Sequence, residues 1–259
     1  MHTLRSAVLA PLLATEAVQK ASSALGLSLD LPIGADAVID APVGIPGRPA
    51  RPELVGHTQL KHHSLRVPEG RAALIHSIAH IELNAIDLAL DIVWRFPGMP
   101  ESFYRDWVRI AQEEAQHFTL LRNQLVERGF DYGSFQAHNA LWEMAERTKG
   151  DILARIALVP RTLEARGLDA SPAVKRKLVG AGDIRAGEIL DVILRDEIGH
   201  VAAGNRWYRW VCEQRGLDPI STYAELVKTY DAPKLRAPFN MEARRAAGFD
   251  EAELLALQC

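Results

Sequence analysis

Cysteine is scarce in this chain: there are two in 259 residues, Cys212 and Cys259. So few cannot build a disulfide framework or a thiolate-rich zinc site, and they fit a reducing, cytoplasmic setting. Excess charge is also missing. The net charge of −3 gives no global basic field, so nothing in the composition calls for a nucleic-acid partner, although a local basic patch stays compatible with it. No uninterrupted apolar run reaches the roughly 18 residues that a bilayer crossing needs, so no membrane partner is expected. Residues 1–18 place Arg5 before Ala7-Val8-Leu9-Ala10 in the manner of a weak signal peptide, but Pro11 and Glu16 interrupt the run. An alternating strand pattern is absent throughout.

What is present is helical. Hydrophobic residues make up 48% and charged residues 24%, the balance of an ordinary globular protein with length enough for one large domain. The expected organisation is an N-terminal arm over residues 1–66, a helical core over 67–216, and a C-terminal helical extension over 217–259. The arm predicts a helix at about 3–25 ending at Gly26, followed by an extended, Pro-rich stretch containing Ile45-Pro46-Gly47-Arg48-Pro49-Ala50-Arg51-Pro52. Its arginines are expected to be solvated.

Four core helices follow from the 3.6-residue period. Helix A, about 69–95, turns Ile75, Ile78, Ala79, Glu82, Ile86, Ala89 and Val93 inward. Helix B, about 101–128, does so with Trp107, Ile110, Ala111, Glu114, His117, Phe118 and Leu121, with Pro100 at a first helical position. Helix C, about 137–166, contains Ile152, Leu153, Ile156, Ala157, Pro160 and Glu164, with a kink expected at Pro160. Gly167 to Pro172 is expected to stop the helix and restart it, with Ser171 as the cap. Helix D, about 183–215, contains Leu190, Ile193, Leu194, Glu197, His200, Val201 and Gly204. The predicted fold class is all-α.

Two copies of one pattern stand out. Glu114-Ala115-Gln116-His117 and Glu197-Ile198-Gly199-His200 each set a carboxylate and an imidazole three residues apart, about 60° around a helix and one turn along it. Both lie within apolar stripes, where an uncompensated charge is costly. Spacing adds partners. Glu82 lies 14 residues before Phe96 and Glu114 lies 14 after Pro100, so both carboxylates stand about 21 Å from the same hairpin turn. Glu114 follows Glu82 by 32 residues, and Glu197 follows Glu164 by 33. The chain therefore reads Glu…Glu-x-x-His twice, the donor set of a carboxylate-bridged pair of metals in a four-helix bundle.

Four glutamates balance two divalent cations, and each histidine gives one nitrogen per metal. An oxygen-rich set with two imidazoles suits iron first, with manganese as the alternative. Glu164 competes for its place with Glu143, whose neighbours Asn139, Glu146 and Arg147 mark a solvated face. Asp196 and Glu113 precede the two motif glutamates and are candidates to orient the imidazoles. His76, His80 and Asn84 share a face of helix A that points away from Glu82, and they are expected to meet the N-terminal arm. His57, His62, His63 and His138 carry no ligand spacing. Arg161 and Arg166 flank Glu164, where they offer a site for an anionic substrate, but they are expected to pair with nearby acids instead.

At these residues the chain resembles the ferritin-like diiron-carboxylate superfamily. Ala79-His80-Ile81-Glu82-Leu83-Asn84-Ala85-Ile86-Asp87 and Val159-Pro160-Arg161-Thr162-Leu163-Glu164-Ala165-Arg166-Gly167-Leu168-Asp169 resemble one bacterial ferritin-like branch of unknown function. The similarity runs from about Pro46 to the end of helix D and extends distantly to tRNA-modifying diiron hydroxylases. It implies a ferritin-like four-helix bundle with Glu82, Glu114, His117, Glu164, Glu197 and His200 as metal ligands. It also implies oxygen chemistry of the hydroxylase or monooxygenase type, with O2 and an external electron donor or reductase as partners. A small molecule or a modified nucleotide would be the substrate, and fold analogy does not name it. Two other functions stay open: iron handling as a ferroxidase, and a non-catalytic scaffold stabilised by metal.

Overall fold

The structure is a computed structural model that describes residues 2–56, 59–61 and 63–257; His57, His62 and Cys259 lie outside the described residues. The fold is all-α. Among the described residues there is no strand, and Leu54 and Ala137 make an isolated bridge. The chain divides into two compact units, Met1–Trp142 with Leu178–Ile189, and Glu143–Lys177 with Leu190–Cys259.

The first unit is built on a long hairpin. Helix α4, Pro68–Arg95, starts with proline at its first turn, Glu69 near its N-terminus and Arg95 in its last turn, each favourable for the helix. Gly70 is required by packing, because a Cβ there would lie 2.0 Å from the Ser64 carbonyl oxygen. After Phe96 the chain turns through Gly98, at φ 79°, into α5, Glu101–Val126. Pro100 sits at the N-cap, one position before the expected first turn, and its carbonyl accepts the Phe103 N–H at 2.9 Å.

The arm folds into three short helices, α1 Leu4–Ala7, α2 Leu9–Leu13 and α3 Ala17–Leu25, where one continuous helix was expected. The breaks let the arm wrap the hairpin. Helix α4 is buried on every side from Glu82 to Trp94. The expectation that the arm's arginines are solvated fails for Arg5, which is fully buried. Its guanidinium donates to the carbonyls of Val93 (3.0 Å), Trp94 (2.6 Å), Gly34 (3.1 Å), Ala35 (3.0 Å) and Ala37 (2.5 Å). Lys20 is also buried, 2.5 Å from Asp87 and 3.0 Å from the carbonyls of Pro11 and Leu12. A buried cation persists only when its donors are satisfied in this way. By length and composition α4 could cross a membrane, but 72% of its apolar window is buried inside the protein.

The remaining helices are α6 Ala140–Arg147, α7 Ile152–Leu158, α8 Ala165–Gly180, α9 Ile184–Arg215, α10 Pro219–Thr229, α11 Met241–Ala246 and α12 Glu251–Ala256. The division between the units falls inside α6, α8 and α9. Helix C was expected to be continuous, yet it breaks at Gly150, and Asp151 caps α7 by accepting the Leu153 N–H at 3.0 Å.

Two prolines in the second unit behave differently from expectation. Between α7 and α8, Val159–Glu164 form a π-helix where a simple kink was expected. Pro160 has no N–H to give, and the wider turn lets the Thr162 hydroxyl bond the Ala157 carbonyl, five residues back, at 2.7 Å. Gly204 of α9 accommodates this segment, since a Cβ there would lie 3.1 Å from Pro160. Pro172 does not interrupt α8 at all. The Leu168 carbonyl that it leaves without a helical donor accepts the Asn240 side chain at 3.2 Å, while Ser171 Oγ bonds back to the Gly167 carbonyl at 2.7 Å instead of capping a new helix.

Candidate metal centre

Each unit carries one of the two repeated donor sets. In the first, Glu82 on α4 and Glu114 and His117 on α5 are all buried, at 3%, 0% and 1% exposure. Each offers a ligand atom within 4.8 Å of the others. His117 Nδ1 lies 3.1 Å from Glu82 Oε2 and 3.4 Å from Glu114 Oε2. The equal count from the hairpin turn thus brings two carboxylates on neighbouring helices onto one imidazole.

The electrostatics favour positive charge at this site. Burial opposes a charged His117 ring. The hydrogen bonds and charges of Glu114 and Glu82 outweigh it and push the imidazole up to about 11. Two buried carboxylates around one nitrogen therefore stabilise positive charge there. A divalent cation can take the place of that proton, since a histidine must be neutral to ligate.

In the second unit, Glu197 and His200 are buried on α9, with His200 Nδ1 3.6 Å from Glu197 Oε1. Glu164 is half-buried and closes the π-helix. A π-turn shifts the following residues around the helix axis, and such turns recur at functional sites. Glu143, the competitor for Glu164, is exposed. Asp196 is half-buried and receives the Arg195 guanidinium at 2.8 Å, and Glu113 is half-buried on α5.

Other predicted polar residues find different partners. His80 bonds Tyr132 Oη at 2.8 Å through Nδ1 and the His138 carbonyl at 2.9 Å through Nε2, and His76 Nε2 accepts the Gly133 N–H at 2.9 Å. Their polar partners thus come from the loop after α5, while arm residues Arg48 and Pro49 line a small pocket beside His80. His63 meets Phe135 edge-on at 5.7 Å. Arg161 pairs with Glu253, as expected of an arginine near acids, whereas Arg166 is exposed. Sequence reading missed the buried charges Asp87 and Asp91, whose only signal is their position inside the apolar run of α4. Lys20 answers Asp87, and Arg95 and Trp94 answer Asp91 at 2.6 and 3.1 Å.

Residues 10–255 match the family described as protein of unknown function, DUF455. The chain belongs to this family. A relative in Haemophilus influenzae, an uncharacterized protein, is 46% identical over 213 residues, which cover 80% of this chain and 74% of the relative. No solved structure matches the chain. The donor set of this DUF455 chain is chemically suited to a hard, oxygen-preferring cation, because it offers carboxylates and imidazoles and no thiolate. Its cysteine within the described residues, Cys212, is buried and free.

Proposed function

We propose that the two donor sets meet in one centre and that the protein is a dimetal-carboxylate oxidoreductase of the ferritin-like kind. The observation that carries this reading is the buried Glu82–Glu114–His117 cluster, in which two carboxylates hold positive charge on a ring nitrogen. Glu164, Glu197 and His200 repeat the same residue types at matched spacing and supply the second half. Glu82 and Glu114 would balance charge on one side, with Glu164 and Glu197 on the other, and His117 and His200 would each give one nitrogen. Asp196 and Glu113 would orient the imidazoles.

Iron is the preferred metal, with manganese second. A ferrous pair would supply the electrons for reduction of O2 in a hydroxylase or monooxygenase reaction. The protein's part is to hold six donors in a dry helical core, with α4 encased by the arm so that water is kept from one flank. No nicotinamide or flavin motif is seen in the sequence, so electrons would come from a separate reductase. The setting proposed is the cytoplasm.

The test is to load purified protein with Fe(II) under anaerobic conditions and mix it with O2 while following absorbance and O2 uptake. The reading expects rapid O2 consumption at a fixed ratio to bound iron, abolished in Glu114→Ala. Absence of any reaction on a catalytic timescale overturns the oxidoreductase reading. Accumulation of many irons per chain would favour iron handling instead.

A further inference from the structure

The second unit contains a cavity of about 300 Å³ that the proposed oxygen chemistry does not use. Its wall is mostly apolar, from Ile220, Val227, Leu235, Phe249 and Leu257, yet two arginines, Arg161 and Arg244, also line it, together with Glu253, whose charge Arg161 and Arg209 neutralise. Both are buried, at 4% and 0% exposure. Placing two guanidinium groups against an apolar cavity is costly unless each hydrogen atom finds an acceptor.

Most do. Arg244 donates through Nε and Nη2 to the two oxygens of Asp169, at 3.0 and 2.7 Å, and lies 5.3 and 5.2 Å from the Phe239 and Phe249 rings. Arg161 donates through Nε to Asn205 Oδ1 at 2.9 Å and through Nη2 to Glu253, beneath the rings of Tyr208, Tyr223 and Phe249. Those bonds leave Nη1 of both groups out. Arg244 Nη1 is buried and has no hydrogen-bond partner. A fixed guanidinium with an unused donor, set in an apolar wall, is the arrangement by which proteins hold a carboxylate on a greasy ligand.

We infer that this cavity binds a small apolar carboxylic acid, with its carboxylate on Arg244 Nη1, assisted by Arg161, and its hydrocarbon part against Leu235 and Val227. The volume lies at the lower end for small-molecule pockets, which limits the ligand to a short aliphatic or single-ring acid. The cavity shares Arg161 with the π-helix that ends in Glu164, and Tyr223, also in its wall, bonds Thr162 of that segment at 2.8 Å. The inference stands apart from the metal reading, because its donors and its test involve no metal.

Octanoate is the probe, with 1-octanol as its uncharged counterpart, each titrated into the purified full-length chain by calorimetry and by thermal unfolding. The site predicts one octanoate per chain, a raised melting temperature, and binding about 10- to 100-fold tighter than octanol, the factor expected for a charged hydrogen bond in a dry site. Arg244→Lys keeps a charge for Asp169 but removes Nη1, and is expected to lose most of that preference. Val227→Trp fills the cavity from a half-exposed position of α10 and should abolish binding of both probes while circular dichroism stays native. No binding of octanoate at millimolar concentration, equal affinity for octanol, or undiminished binding in Val227→Trp would each overturn the inference.

Discussion

Acid should destabilise the first unit through two neutral histidines on α4. Burial, together with the neighbouring His80, lowers His76 to about 4; burial likewise lowers His80 to about 4. In the unfolded chain both would titrate near 6.5. The folded value is depressed for a base, so below pH 6.5 the unfolded state binds more protons and stability falls as pH drops towards 4. Integrating between pH 7 and 4.5 gives about 2 kcal/mol lost for each ring, as an order of magnitude. The geometry explains the sign: His76 Nε2 accepts the Gly133 N–H, which a protonated ring cannot do. His80→Gln isolates one contribution, because the amide can still accept from Tyr132 and donate to the His138 carbonyl but does not titrate. Urea unfolding of both proteins at pH 7 and 4.5, followed by circular dichroism, supplies the comparison. Wild type should lose about 2 kcal/mol more than the variant over that interval. Equal losses would refute the claim that the fold holds His80 neutral.

Three other perturbations follow from the same structure. Lys20→Met leaves Asp87 buried without its cation and should cost about 3–5 kcal/mol in chemical denaturation, while Lys20→Met with Asp87→Leu should recover much of that loss. Asn240→Ala removes both the acceptor that caps α11 and the donor to the Leu168 carbonyl; a loss of about 1–3 kcal/mol is expected, and no change would show that Pro172 sits in α8 without that support. Adding Mn(II) to weakly buffered metal-free protein at pH 7 should release protons, because His117 must give up the proton that Glu114 and Glu82 hold on it; binding without acidification would contradict that protonation state.

The parts of this molecule that follow from helical period and hairpin count were legible in the sequence. Glu82 and Glu114 had to lie level because each stands 14 residues from one turn, and the 3.1 Å contact of His117 with Glu82 agrees. The burial of Arg5 and Lys20 was not legible, because the acceptors of Arg5 and two of the three of Lys20 are backbone carbonyls, for Arg5 as far as 89 positions away in sequence, and a carbonyl leaves no mark on residue type. Prolines misled for a similar reason. Whether Pro160 or Pro172 breaks a helix depends on a distant group, Gly204 for one and Asn240 for the other, and local rules see neither. The cavity beside Arg244 was invisible, since its wall comes from segments separated by up to about a hundred positions.

The most direct test of the central proposal is the metal content of the purified protein. Titrating metal-free wild type with Fe(II) anaerobically, and counting bound ions by mass spectrometry and elemental analysis, should give two per chain. Glu114→Ala and His200→Ala should each lower that number or weaken the binding while circular dichroism stays native. Failure of wild type to bind a divalent cation, or binding that is unchanged in both variants, would contradict a centre built from the two repeated donor sets.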